Sequence, residues 1–208
     1  MNDFLARLQS GGLLFDGSMG ALIEARGVAT NCPALLNAEN PALIRAIHQD
    51  YRAAGADVSI ANTFGANPIK LRALGLENRL DELIEKGVAL AREAGNFALL
   101  DIGPTGQFLR PAGTIGLEEM IQVFRACAQA GARAGADGII IETMADAGEC
   151  RAAVIAARET GLPVIASISR RPALKMALLW VNQRGSSNPQ ILPAQPPASQ
   201  MTIMPPRA

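Results

Sequence analysis

The sequence has little of several residue types, and each shortage excludes a class of function. Its 208 residues carry 19 basic and 19 acidic side chains, and aromatic residues make up only 4%. No cluster of Lys and Arg alternates with aromatic side chains, so neither a nucleic acid nor a membrane surface is predicted as the main partner. The first 15 residues fit neither a secretory signal nor a spanning helix, which predicts a cytoplasmic protein.

Cysteine and histidine are also scarce. The three cysteines, Cys32, Cys127 and Cys150, lie far apart with no C-x-x-C spacing. This pattern excludes both a disulfide framework and a compact zinc knuckle. Cys127 and Cys150 fall on apolar faces of predicted helices, where we expect core packing. The only histidine, His48, lies on a predicted helix and is expected to be structural.

What the sequence does contain is a regular alternation of strand-like and helix-like segments, with a period of about 40 residues. The predicted strands are 13–15, 58–60, 97–102, 138–141 and 164–168, and the predicted helices are 41–54, 78–94, 117–134 and 146–160. The tetrapeptide Ala-Gly-Ala-Asp at 54–57 recurs at 134–137, at the same helix-to-strand junction. Such alternation requires a parallel sheet with right-handed crossovers. The fold class is therefore α/β, either a (β/α) barrel or a doubly wound sheet.

The residues that follow the strands favour the barrel. Polar side chains stand at the end of each predicted strand: Asp16, Asn62, Thr63, Asp101, Glu142, Thr143, Ser167 and Ser169. In a barrel all these ends converge on one mouth, where such enzymes keep their sites. No G-x-G-x-x-G follows the first strand, so a dinucleotide-binding, doubly wound fold is the weaker alternative. We predict a (β/α)8 TIM-type barrel, represented here by about its first five β/α units.

The composition changes abruptly after residue 169. Residues 170–208 contain seven of the 13 prolines and five of the 19 basic residues, but none of the 19 acidic ones. No sixth β/α unit is predicted there, and only 174–181 has a helical pattern. We expect a partial barrel domain at 1–169 and an irregular, Pro-rich tail at 170–208 that is disordered or the product of a frameshift. A partner-binding role for this basic tail is the alternative.

Four motifs follow the first four strands in order. They are Asp-Gly-Ser-Met-Gly at 16–20, Ala-Asn-Thr-Phe-Gly-Ala-Asn at 61–67, Gly-Pro-Thr-Gly at 103–106 and Ile-Glu-Thr-Met-Ala-Asp at 141–146. Together with connecting segments such as His-Gln-Asp-Tyr at 48–51, they resemble the homocysteine S-methyltransferase family over about residues 11–169. The order and spacing of all four make the resemblance specific. It implies methyl transfer to the sulfur of homocysteine, the step of methionine biosynthesis that yields methionine.

The resemblance also implies a cofactor and a methyl donor. In the family, zinc removes the thiol proton of homocysteine and leaves a thiolate for attack on the methyl carbon. The donor would be betaine, a sulfonium compound, or a methylated corrinoid (methylcobalamin) or folate. Three zinc-binding cysteines belong to Asn-Cys and Gly-Gly-Cys-Cys motifs after the sixth and eighth strands. Neither motif occurs in this sequence, so we expect a truncated, inactive methyltransferase without metal ligands or catalytic residues of its own.

The resemblance assigns seven residues to substrate binding: Asp16, Gly17, Ser18, Met19, Asn62, Thr63 and Glu142. It implies that Asp16 and Glu142 receive the α-ammonium group of homocysteine through charge-assisted hydrogen bonds. The backbone amides of 17–19 would receive its carboxylate, because consecutive N–H groups in a tight turn form an anion nest. Asn62 and Thr63 would line the pocket floor or hold these groups in place.

Two alternatives remain open from the sequence. One is a pterin-binding or other small-molecule (β/α) barrel, which also places Asp and Asn at strand ends. The other is a non-catalytic half barrel that docks on a partner protein. Without later strands, we expect strands one and five to expose unpaired edges and to favour self-association.

Overall fold

A parallel sheet with helices packed on its outer face forms the frame of the molecule. The computed structural model describes residues 3–168 and also the backbone of the strands at 177–181 and 190–191. The strands are β1 (Val58–Ile60), β2 (Phe97–Ile102), β3 (Gly138–Met144), β4 (Val164–Ile168), β5 (Ala177–Val181) and β6 (Gln190–Ile191). The α-helices are α1 (Asp3–Ser10), α2 (Met19–Ala25), α3 (Leu36–Glu39), α4 (Pro41–Ala53), α5 (Pro68–Ala73), α6 (Leu80–Glu93), α7 (Leu117–Arg133) and α8 (Ala147–Arg158).

The strand order decides between the two predicted architectures. β1 to β4 pair in parallel in the order in which they occur in the chain. Phe15 makes a parallel bridge to Val58 of β1, so the predicted strand 13–15 lies in its expected place as a bridge. A doubly wound sheet reverses its order at a switch point, whereas β1 to β4 show no reversal. The order is that of the first five strands of a (β/α) barrel, and residues 13–168 are called the half barrel below.

The repeated Ala-Gly-Ala-Asp tetrapeptide builds the same junction twice. In the first copy, the Asp57 N–H donates to the Leu14 C=O at 2.8 Å, and the Leu14 N–H donates to the Asp57 carboxylate at 3.0 Å. In the second copy, Asp137 and Ala98 exchange the same two hydrogen bonds, at 2.8 and 2.9 Å. The glycines have φ of 103° and 83°, which a residue with a Cβ adopts only with strain. Each copy ends a helix and fastens the new strand to the previous one.

Alternate side chains of the strands contribute to two separate cores. The outward set, which packs with residues of α6, α7 and α8, includes Ala98, Leu100, Ile139, Ile141, Val164 and Ala166. The inward set packs with Phe4 and Leu5 of α1 and consists of Val58, Leu99, Ile140 and Ile165. Phe4 also meets the ring of Phe97, the first residue of β2, at a centroid distance of 5.5 Å. Helix α1 therefore fills the amino-terminal end of the half barrel.

The structure differs from the sequence predictions in several features, including the short helices α2, α3 and α5, which were not predicted. Helix α1 was not predicted, because eight residues are too few to show a clear helical period. The helix predicted at 174–181 is wrong, because Ala177–Val181 pairs antiparallel with β4 as β5. The unpaired edge predicted for the fifth strand is wrong for the same reason, since β5 satisfies the hydrogen-bonding groups of β4. Ser169 and the predicted tail at 170–208, apart from the backbone of 177–181 and 190–191, lie outside the described residues.

Within the described residues, no helix is both long and apolar enough to span a membrane.

Candidate functional site

Three carboxyl groups lie at the carboxyl ends of the parallel strands, a region called the mouth below. Asp101 is two residues after the inward-facing Leu99 on β2, and Glu142 is two residues after the inward-facing Ile140 on β3. Because side chains alternate along a strand, both carboxyls face the interior of the half barrel. Asp16 directly follows the bridge to β1. The same alternation that fills the lower interior with apolar residues thus places acids at the mouth.

Asp16 is buried, with 8% of its surface exposed. Its Oδ2 accepts the N–H of Ile60 at 3.0 Å and lies 3.6 Å from Nδ1 of His48 on α4. Its Oδ1 is buried and has no hydrogen-bond partner within the part of the chain that the structure describes. Burial raises the pKa of Asp16, although His48 and the Ile60 N–H lower it. One carboxyl oxygen is therefore held by the protein, and the other remains able to accept a ligand.

Asp101 is buried at the end of β2 and is fixed through its backbone. Its N–H donates to Thr63 Oγ1 at 3.0 Å, and Thr63 Oγ1 donates to its C=O at 2.9 Å. Its carboxyl Oδ1 is buried without a hydrogen-bond partner among residues 3–168. Burial raises the pKa of Asp101 well above its usual value, and Glu142 and Asp16 raise it further, while Lys70 lowers it. Within residues 3–168, Asp101 therefore has one buried carboxyl oxygen without a hydrogen bond, next to two other acids.

Glu142 lies in an irregular part of β3. The register with β4 shifts between Ile141 and Met144, and Thr143 has a φ of 60°. A β-branched residue in this left-handed region is strained by about 1–2 kcal/mol. Burial raises the pKa of the partly buried Glu142, and Asp16 raises it as well. Bulges and strained backbone of this kind commonly orient side chains at functional sites.

The shared electrostatics of the mouth favour a cationic ligand. Burial disfavours the ionised form of Asp16, Asp101 and Glu142, and their mutual repulsion adds to this cost for Asp101 and Glu142. A ligand with a positive charge and several N–H donors would offset both effects. Asp16 and Asp101 supply buried acceptor oxygens for such donors.

The predicted anion nest lies beside Asp16. Gly17 and Ser18 are exposed, and Met19 begins α2. The Ser18 hydroxyl accepts the N–H of Ala21 at 3.2 Å and caps this short helix. On the other side, the Tyr51 hydroxyl of α4 donates to the Ser18 C=O at 3.3 Å. Both contacts hold the loop at Ser18, and Gly17 and Ser18 themselves lie at the surface.

Asn62 and Thr63 are buried and make hydrogen bonds within the protein. The Asn62 side-chain NH2 donates to the Pro33 C=O at 2.7 Å and to Asn37 Oδ1 at 2.9 Å. Thr63 binds the backbone of Asp101. Of the two roles predicted for this pair, the contacts favour holding the mouth residues in place. Contact with a substrate stays a prediction for both.

The cysteines do not fit a zinc site. Cys32, Cys127 and Cys150 are all buried and unbridged, and no group of three or more His, Cys, Asp or Glu side chains in the described residues could hold a metal ion. Cys127 Sγ contacts the Ala66 C=O at 3.4 Å, and burial raises its pKa to about 12. A zinc site needs several ligands in one place, whereas these cysteines are separate residues of the core. We therefore derive no chemistry through zinc for these residues.

Comparison with known proteins places the chain among methyltransferases. The family model described as homocysteine S-methyltransferase matches residues 13–180. The chain belongs to the homocysteine S-methyltransferase family. It is 40% identical over 108 residues to the homocysteine S-methyltransferase of Escherichia coli, covering 50% of this chain and 34% of that protein. It is 29% identical over 172 residues to the methionine synthase of Mycobacterium tuberculosis, covering 75% of this chain and 14% of that protein.

Solved structures of the family agree with the half-barrel fold. The metallated form of the homocysteine methyltransferase MmuM from Escherichia coli matches with a TM-score of 0.69 and 29% identity. The match covers 81% of this chain and 66% of that one. This chain therefore spans about a third or less of the two curated relatives, and just under two thirds of the MmuM structure.

Two residues at or near the mouth have contacts that the sequence did not predict. Asp101 was recognised as a strand-end residue but was not assigned to substrate binding, whereas its carboxyl shares the mouth with the two assigned acids. His48 was expected to be structural, and its ring lies beside Asp16. No local signal identifies either neighbour, because both contacts join segments distant in sequence.

Lys70 is a further group that the motifs did not indicate. It lies on α5, half-buried, with its ammonium 5.2 Å from the centre of the Phe64 ring. Burial lowers the pKa of Lys70, while Glu149 and Asp101 raise it. The Glu149 carboxylate also accepts the N–H and hydroxyl of Thr105 at 2.7 and 2.6 Å. A basic group is thus fixed beside the acidic mouth and partly balances its charge.

Proposed function

We propose that the mouth binds homocysteine by its amino-acid end and that the chain serves a homocysteine S-methyltransferase, which yields methionine. The observation that carries this proposal is the pair of buried carboxyl oxygens without partners, Asp16 Oδ1 and Asp101 Oδ1, next to Glu142. An α-ammonium group has three N–H donors and a positive charge. It supplies the donors and the charge that these acids lack.

The binding energy in this proposal comes from charge-assisted hydrogen bonds in a buried setting. Hydrogen bonds to ionised groups are worth about 1.5–3 kcal/mol each, and burial strengthens their electrostatic part. Binding of the ammonium also lowers the pKa of neighbouring acids, because an opposite charge favours the ionised form. The substrate carboxylate is assigned to the backbone amides of Gly17, Ser18 and Met19, beside Asp16. Holding both polar ends of homocysteine fixes the direction of its sulfur.

The proposal for the described residues is limited to binding and orientation of homocysteine. Their side chains do not fit zinc, so no step of thiol activation is assigned to them. The methyl donor, whether betaine, a sulfonium compound, a corrinoid or a folate, stays a prediction, as do the cytoplasmic location and self-association. Family membership favours this function over the pterin-binding alternative. A docking role for the half barrel stays a prediction.

The proposal is tested by titration calorimetry of the full 208-residue chain with homocysteine. Glu142→Gln keeps the shape of the side chain but removes its charge, and we expect it to weaken binding about tenfold or more. Asp81→Asn is the matched control, because Asp81 is an exposed acid on α6 that pairs with Arg133. Equal affinities of the wild type and Glu142→Gln would contradict the proposal.

A further inference from the structure

Helix α4 presents two polar side chains, one turn apart, to the loop that carries Asp16. The His48 ring is fully buried, and its Nδ1 lies 3.6 Å from Asp16 Oδ2. Neither ring nitrogen has a hydrogen-bond partner within residues 3–168. A buried polar ring without a hydrogen bond is costly, which is unexpected for a residue with a packing role alone. Among residues 3–168, the polar group recorded nearest this ring is Asp16 Oδ2, at 3.6 Å from Nδ1.

The second side chain, Tyr51, holds the next part of the loop. Its hydroxyl donates to the Ser18 C=O at 3.3 Å. A Cβ added at Gly17 would lie 2.8 Å from the same hydroxyl oxygen, so a larger residue at this position would displace the Tyr51 ring. His48 and Tyr51 therefore contact the loop on both sides of Gly17. The loop position is set by α4 and not only by its own turn.

The two oxygens of Asp16 are used differently as a result. Oδ2 faces the Ile60 N–H at 3.0 Å and His48 Nδ1 at 3.6 Å, whereas Oδ1 is buried without a partner. The Ile60 hydrogen bond and the adjacent His48 ring on the same side restrict rotation of the carboxyl group about its last torsion, which is otherwise broad. The free oxygen is thereby kept in one direction. Fixing an acceptor before binding reduces the entropy that the ligand must offset.

We infer that His48 is a positioning residue, which orients the Asp16 carboxylate so that Oδ1 receives the ammonium group of the amino-acid substrate. This inference rests on the proposed function and adds a residue that acts through Asp16 without touching the substrate.

The first test compares two ligands that differ only in the amino group, homocysteine and 4-mercaptobutanoate, by calorimetry on the full chain. His48→Leu fills a similar volume without a donor, and we expect it to weaken homocysteine binding about tenfold. Binding of 4-mercaptobutanoate should be unchanged, because that ligand has no group for Asp16. His48→Asn places an N–H donor near the position of Nδ1 and should restore most of the homocysteine affinity. Circular dichroism and thermal unfolding establish that each variant is folded.

A purely structural role for His48 predicts a different pattern. His48→Leu would then weaken both ligands equally, or neither, and His48→Asn would not restore the difference between them. Any of these results overturns the inference while the proposed function stands. A wild-type chain that binds neither ligand overturns the proposed function.

The second test needs no ligand. It therefore tests the role of His48 separately from the proposed binding of homocysteine. The Asp16 carboxyl carbon is titrated by NMR in the wild type and in His48→Leu. His48 lowers the pKa of Asp16, so its removal should raise that pKa. The other titratable groups near Asp16, namely Tyr51, Asp101 and Glu142, are present in both proteins. An unchanged Asp16 pKa would show that His48 does not act on this carboxyl and would overturn the inference.

Discussion

The two ends of the half barrel are built from the same strands and have opposite characters. At the lower end, the inward residues Leu99 and Ile140 pack with Phe4 of α1. Two positions further along the same strands, the inward residues are Asp101 and Glu142. Burial stabilises the lower end by removing apolar surface from water, whereas burial of the acids at the mouth is costly. One end therefore supplies folding energy, and the proposed binding site at the other end uses part of it.

The largest expected effect separates stability from binding. Phe4→Ala removes the ring that fills the lower end, and we expect the free energy of unfolding to fall by about 3–5 kcal/mol. Binding of homocysteine to the folded fraction should be unchanged. Urea denaturation measures the first quantity and calorimetry the second. Phe108→Ala is the control, because Phe108 is 56% exposed, and its removal should leave stability nearly unchanged. Equal losses in the two variants would break the comparison.

The second prediction concerns the mouth, where we expect a substitution to weaken binding and not to lower stability. Asp16→Asn keeps an acceptor for the Ile60 N–H but removes the charge, and we expect homocysteine binding to weaken about 100-fold. The free energy of unfolding should be unchanged or higher, because a buried acid with a raised pKa is lost. Calorimetry and denaturation are run on the same samples. A large loss of stability with unchanged affinity would mean that Asp16 is structural.

A third, smaller effect concerns pH. The pKa of Asp101 is raised in the folded state, whereas in the unfolded chain this group ionises near pH 4. As the pH rises above about 4, the unfolded state loses its proton first, so the free energy of unfolding falls until the folded pKa is passed. Asp101→Asn cannot ionise and should be more stable than the wild type at neutral pH. The gain should disappear as the pH falls to 4 or below.

Urea denaturation at several pH values measures this difference. Asp81→Asn is again the control, since Asp81 is an exposed acid of an ion pair. If the stability gain of Asp101→Asn does not depend on pH, the raised pKa of Asp101 is not its cause.

The smallest expected effect tests the strain at the mouth. Asn tolerates the left-handed region better than a β-branched residue, so Thr143→Asn should raise the free energy of unfolding by about 0.5–1 kcal/mol. Thr114→Asn, at another exposed position, controls for the change of side chain. Thermal unfolding of both variants compares them. A loss of stability in Thr143→Asn would mean that the hydroxyl or methyl group outweighs the backbone strain.

Much of the fold could be predicted because its signals are local. The strands Phe97–Ile102 and Val164–Ile168 have the predicted bounds, and α4 begins at Pro41, after the predicted cap. Helix α1 and strand β5 could not be predicted, because each depends on a distant surface. Helix α1 depends on the inner face of the half barrel, and β5 on the open edge of β4.

The part of the candidate site that could be predicted is the set of residues at strand ends. Asp16 and Glu142 directly follow predicted strands, so a place at the mouth could be predicted for both, although β3 itself extends past Glu142 to Met144. The partnership of Asp16 with His48 is not visible, because it depends on how α4 packs against the loop. Asp101 was visible as a strand-end acid, but its proximity to the other two depends on strand register.

The central claim is that the acids of the mouth recognise the ammonium group of homocysteine. The most direct test is the ratio of affinities of the wild-type chain for homocysteine and 4-mercaptobutanoate, measured by calorimetry at neutral pH. We expect homocysteine to bind about 100-fold or more tightly than 4-mercaptobutanoate, because only homocysteine has an ammonium group to pair with the buried carboxylates. Equal affinities for the two ligands would contradict it.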